Sequence, residues 1–126
     1  MEGAGRVTFE SSGLGTHDVT WASRAEDPAG RTSPEELIAG AHSACFSMAL
    51  SHALAQAGNA PDDLQTSAEV TFQPGEGITG IVLRVRGTVP GLSEDDFRAA
   101  AEKAKEGCPV SKALTGTTIT LDAALA

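Results

Sequence analysis

The stretch SPEELIAGAHSACFSMALSHALAQAG, Ser33 to Gly58, is the longest run in the chain with one consistent helical reading. Ser33 is placed to cap a helix, Pro34 suits the first helical position because its missing N–H has no partner there, and Glu36 completes an S-x-x-E capping box. Gly58 can take the left-handed conformation that ends many helices. Between these ends Leu37, Ala41, Ala44, Met48 and Ala55 fall near one face, while Ile38, Ala49, Ala53, Phe46, Leu50 and Leu54 cover much of the rest. A helix apolar on most sides is usually buried, and at about 1.5 Å per residue this one runs about 35 Å, enough to cross a small domain and leave an end over. His42, Ser43, Ser47, Ser51 and His52 interrupt it too often for a membrane span. The expectation is a long, buried central helix with Cys45 near its middle.

Upstream of the helix, Val7 and Phe9 alternate with Arg6, Thr8 and Glu10, as in a half-buried strand. Ser11 to Gly13 reads as a turn, and His17, Val19 and Trp21 alternate with Thr16, Asp18 and Thr20 as the second strand of a hairpin. Ala22 to Thr32 holds Asp27, Pro28 and Gly30 and has no apolar period, so it reads as a loop carrying Arg24 and Arg31 to the helix. Downstream, Ala68, Val70 and Phe72 alternate with polar residues, as do Ile81, Leu83 and Val85, and the two strands flank the turn Pro74-Gly75-Glu76-Gly77. Glu69 shares a solvent face with Arg84 or Arg86, a solvated ion pair of little worth. Ser93, with Glu94, Asp95 and Asp96 behind it, caps a second helix whose stripe is Phe97, Ala100, Ala101 and Ala104 and whose end is Gly107. Thr117 to Asp122 is a last strand. The order of elements predicts an α+β fold in a single domain, residues 1–126.

A chain of 126 residues buries roughly two thirds of the surface that it exposes when unfolded. With four Phe, one Trp and no Tyr, its core rests on Ala, Val, Leu and Ile. The formal net charge of −8 argues against nucleic acid or anionic membrane as a partner, because binding either depends on Lys and Arg neutralising negative charge. MEGAGRVTFE has no basic segment followed by an apolar run, so the expected compartment is the cytoplasm. There, two cysteines are free thiols, catalytic partners or ligands rather than a permanent staple.

Their local settings differ. Cys108 precedes Pro109 in CPVSKAL, so it reads as the N-cap of a short helix, among unpaired N–H groups that lower a thiol's pKa. Cys45 receives no such help from its own helix, and burial raises its pKa; as a nucleophile it needs a cation, and a loop arginine is the obvious supplier. Local chemistry alone favours Cys108 as the readier thiolate.

The strings PEELIAGAHSACFSMALS, Pro34 to Ser51, and GCPVSKAL, Gly107 to Leu114, closely resemble the OsmC branch of the OsmC/Ohr family of thiol-dependent organic hydroperoxide reductases. The resemblance in layout runs from about Gly5 to Leu121. It implies the OsmC-like α+β fold, an antiparallel sheet with the long helix at its centre, and an intertwined homodimer with active sites at the subunit interface. It makes Cys45 the peroxidatic cysteine and Cys108 the resolving one, puts the catalytic arginine at Arg24 and its carboxylate partner at Glu35, and calls for no cofactor. Arg31 is the weaker candidate for the arginine, since the loop between Arg24 and Glu35 is about one residue longer than the family spacing. A leading strand that members carry before the stretch matching Arg6 to Glu10 is missing. The implied cycle is attack of the Cys45 thiolate on a peroxide O–O bond, sulfenic acid formation, condensation with Cys108 and reduction by a dithiol, of lipoyl type in relatives. Phe46, Met48 and Leu50 suggest an alkyl peroxide. Two other kinds of function stand beside this one: a non-catalytic stress or ligand-binding dimer of the same fold, and a zinc site from His42, Cys108 and Glu35. His42, His17 and His52 otherwise read as packed histidines.

Overall fold

The computed structural model describes residues 2–126. Strands β1 (Ala4–Phe9) and β2 (Gly15–Thr20) pair antiparallel as a two-stranded sheet of their own. Across it the Thr8 and Thr16 hydroxyls lie 3.0 Å apart, and the rings of Phe9 and His17 meet edge to face at 5.6 Å. Trp21 does not continue β2. It opens a short helix, α1 (Trp21–Ala25), inside the stretch expected to be loop. The cause is a reciprocal cap: the Thr20 hydroxyl accepts the Ser23 N–H at 3.0 Å and the Ser23 hydroxyl accepts the Thr20 N–H at 2.9 Å. Ser23 Oγ also donates toward the Thr32 carbonyl, at 2.9 Å, and Thr32 N–H reaches Asp18 O at 3.0 Å. The loop is thereby stitched back to β2 before the long helix begins.

That helix, α2, spans Pro34–Gln56, with the Ser33 hydroxyl accepting the Glu36 N–H at 3.1 Å. Only half of the expected capping box forms, because the Glu36 carboxylate takes the Thr32 hydroxyl at 2.7 Å instead. The chain then runs through β3 (Asp63–Gln73), β4 (Gly77–Thr88), α3 (Glu94–Gly107), α4 (Pro109–Ala113) and β5 (Thr118–Leu125). β4 is the middle strand of a second sheet, β3-β4-β5. β3 pairs with it antiparallel, but β5 pairs with it parallel, which corrects the expectation of an antiparallel sheet. The helical crossover α3–α4 returns the chain to the end of the sheet where β4 began, and only a parallel strand can start there.

Ile81, Leu83 and Val85 alternate onto the inner face of β4 and meet Phe46, Leu50 and Leu54 of α2 and Phe97, Ala101 and Ala104 of α3. Arg84 and Arg86 point the other way, pairing with Glu69 at 3.2 Å and Asp122 at 3.1 Å in solvent. The long helix is not buried all round. Glu35, His42, Phe46, Leu50 and Leu54 face inward, whereas Ala41, Ala44, Met48 and Ala55 form an apolar stripe that its own chain leaves open, Met48 being 73% exposed. By length and hydropathy α2 would also suit a membrane span, but its inner face belongs to the core of this domain.

A candidate dithiol site

Cys45 sits at mid-α2, one turn past His42, partly buried. Cys108 joins two helices. Its N–H closes α3 on the Ala104 carbonyl at 2.9 Å, and its sulfur accepts the Ser111 N–H, at 3.5 Å, in the first turn of α4, where Pro109 holds the first position. The helical crossover therefore delivers a fully buried sulfur, 1% exposed, against the middle of α2. Both thiols are free, and they stand near enough for each to shift the other's pKa. The Val110 N–H favours the ionised form of both sulfurs.

The pair is asymmetric. Burial pushes the Cys45 thiol up, and the Val110 N–H offsets this only in part, with the neighbouring Cys108 raising it further. Burial acts the same way on Cys108, yet the Ser111 N–H, the Cys45 thiol, the Ser111 hydroxyl and the Val110 N–H together hold it below an ordinary thiol. Taken with its own chain alone, Cys108 is the thiol that loses its proton more readily and Cys45 the one that keeps it.

The other two family positions also meet. Arg24, on α1, donates its Nε–H to Glu35 Oε1 at 2.8 Å, and its guanidinium lies over the Phe72 ring at 4.2 Å and the Trp21 ring at 5.6 Å. Glu35 is buried at the start of α2, while Arg24 is 28% exposed with both terminal nitrogens unbonded among the described residues. Arg31 enters no ion pair among the described residues and lies in the exposed turn where its N–H meets Pro28 O at 2.9 Å. No hydrogen bond or ion pair joins Arg24 or Glu35 to either thiol of the same chain among the described residues. Ten helical positions separate Glu35 from Cys45, about 15 Å along α2. The loop arginine expected beside Cys45 thus has no bond to it within one chain among the described residues.

Three further expectations change. Phe46 and Leu50 are fully buried core residues, so they present no wall to a substrate; of that trio only Met48 is outside. Seven helical positions, about 10 Å, keep Glu35 from His42, and no three metal-ligating side chains cluster among the described residues. The His42 ring is only half satisfied: Nε2 is 2.7 Å from Ser111 Oγ, and Nδ1 is buried without a partner. Ser23 and Ser111 were not singled out by the sequence. Thr20-x-x-Ser23 carried a capping signal, and Ser111 stood inside CPVS three residues past Cys108.

The family model for OsmC-like proteins matches residues 26–122, a span that includes both thiols and Glu35. The chain belongs to the OsmC/Ohr family, in its OsmC branch. It is 44% identical to the peroxiredoxin OsmC of Escherichia coli strain K12 over 95% of this chain and 85% of that protein. An organic hydroperoxide resistance protein of Xanthomonas axonopodis pv. citri is 34% identical over 68% of this chain and 61% of its own length. The OsmC fold extends over nearly all of both chains in the crystal structure of an organic hydroperoxide resistance protein OsmC from Legionella pneumophila, with a TM-score of 0.75, 26% identity and coverage of 96% and 94%. The hairpin β1–β2 and the stripe Ala41, Ala44, Met48 and Ala55 on α2 are both largely exposed in the single chain.

Proposed function

We propose that this protein is a cysteine-based organic hydroperoxide reductase that works as a homodimer, in keeping with relatives named peroxiredoxin and organic hydroperoxide resistance protein. The observation that carries the reading is the proximity of two free thiols, one on α2 and one at the α3–α4 junction, near enough for each to shift the other's pKa. Arg24 of a second copy completes each site. It is a rigid, always-charged fork with two unused nitrogens and it is partly open to solvent, so it can hold a thiolate at Cys45 and bind the peroxide oxygens. Trp21 and Phe72, edge to face at 6.1 Å beside that guanidinium, provide an apolar wall suited to an alkyl group.

The chemistry then runs in three steps. The Cys45 thiolate attacks the outer oxygen of ROOH, the O–O bond breaks, and the alkoxide leaves as ROH after taking a proton. The Cys108 thiolate attacks the resulting sulfenic sulfur, the S–O bond breaks, and hydroxide leaves as water after taking another proton. A dithiol, itself oxidised to a disulfide, returns the pair to thiols, and a reducing cytoplasm is the compartment that suits it.

Mass spectrometry after one equivalent of cumene hydroperoxide tests the reading. A loss of two hydrogens with a cross-link between 45 and 108 is the expected result, with no reaction at position 108 in Cys45→Ser. The high pKa of Cys45 in one chain favours a second reading, a non-catalytic dimer of the same fold. Unreacted thiols at saturating peroxide would decide for that one.

A further inference from the structure

His42 is an odd residue for the inner face of α2. It is fully buried among Phe46, Leu50 and Leu54, where a polar ring with one unbonded nitrogen is costly to keep. Its one bond, Nε2 to Ser111 Oγ at 2.7 Å, is short and joins residues 69 positions apart. Ser111 is itself 5% exposed, its backbone N–H meets the Cys108 sulfur at 3.5 Å, and its hydroxyl favours the ionised form of that sulfur. We infer that His42 and Ser111 form a buried donor chain, His42 Nε2–H to Ser111 Oγ and Ser111 Oγ–H to Cys108 Sγ, which holds Cys108 as the thiolate that closes the disulfide. Ser111 touches the reacting sulfur, and His42 is a positioning residue acting through it.

The direction of the chain follows from counting protons. A hydroxyl has one hydrogen, so Ser111 can donate to Cys108 only if Nε2 of His42 donates to Ser111. The opposite assignment would put the ring hydrogen on Nδ1, as a buried N–H without an acceptor, which folded proteins avoid more strictly than an unused lone pair. Burial keeps the ring from taking a second proton. Among the described residues, the titratable groups that reach Cys108 are the Cys45 thiol directly and this ring through Ser111.

Resting as it does on the peroxidase reading for its role in turnover, the donor chain is first tested without peroxide. Nitrogen NMR of the His42 ring in the reduced, unmodified protein should show a neutral ring protonated at Nε2, and an Nδ1–H ring would overturn the chain. Ser111→Ala and His42→Phe should raise the pH midpoint of Cys108 alkylation, read by peptide mass spectrometry, by about one unit. His42→Gln, whose amide nitrogen can stand in for Nε2, should restore most of it. With peroxide, disulfide closure should slow about tenfold in Ser111→Ala while Cys45 sulfenic acid accumulates and its formation rate changes less than twofold. Unshifted alkylation and closure in correctly folded Ser111→Ala would overturn the proposal. Should peroxide leave Cys45 untouched in the unmodified protein, the peroxidase reading fails alone, and the ring tautomer and alkylation midpoint still decide the donor chain. Variants that do not fold leave the tautomer measurement to decide it.

Discussion

Glu35 is a carboxylate with almost no access to water, and the cation that it touches determines what its burial costs. Arg24→Ala strands that charge, so it should destabilise the fold by about 2 kcal/mol, less than for a fully enclosed pair because the guanidinium is partly exposed. Arg24→Met with Glu35→Leu should recover most of that stability and none of the activity, as urea midpoints and peroxide consumption together would show. His42 gives the residue scale its pH dependence. Burial holds its pKa below the ordinary 6.5, so between the two values the unfolded chain binds a proton that the folded one refuses. Stability should be level above about pH 6.5, fall as pH drops below it, and lose that slope in His42→Gln, measured as urea midpoints against pH. Neither effect was legible in residue order alone. The pairing of Arg24 with Glu35 came from the family pattern, since nothing in a spacing of eleven positions across a loop fixes a contact. His42 read as packed, because sequence shows that a histidine falls on an apolar face and not which hydroxyl folds over it.

At the scale of elements, Gly87 shows how closely β4 and α3 are fitted. A Cβ there would stand 2.7 Å from the Phe97 ring and 3.0 Å from Leu64, and the fully buried ring has nowhere to move. Gly87→Val should therefore cost about 3 kcal/mol, seen as an earlier thermal midpoint, while Gly80→Val, whose Cβ would meet nothing nearer than 3.8 Å, should cost far less. Elements with a long period were legible. The caps and limits of α2 and α3 and the alternation of β3 and β4 were all present in residue types. α1 was not, because five residues hold too little of a period and Thr20 and Ser23 announce it only by a cap. The direction of β5 was hidden for a different reason: alternation gives a strand's faces, whereas its sense is set by where the α3–α4 crossover leaves the chain.

Across the whole molecule, the apolar periphery of α2 was read as burial, and half of it is open. Sequence cannot separate a face meant for its own core from one meant for another copy, since both are selected by the same transfer of apolar surface out of water. The stripe Ala41, Ala44, Met48 and Ala55, the hairpin standing beyond the main sheet, and a cleft of about 460 Å³ between hairpin and helix lined by Phe9, His17 and Leu37 are together what a second copy would cover. Met48→Glu should accordingly shift the protein to monomer in light scattering and abolish peroxide turnover, while a general thiol oxidant still forms the 45–108 disulfide within each chain. Complementation gives the stricter test. Arg24→Ala and Cys45→Ser should each be inactive alone. Mixed after unfolding and refolded together, about half the dimers should be hybrid, and each hybrid carries one site with an intact Cys45 facing an intact Arg24 and one site lacking both. Turnover should return to about a quarter of the unmodified rate, whereas sites built within single chains would stay silent in any mixture.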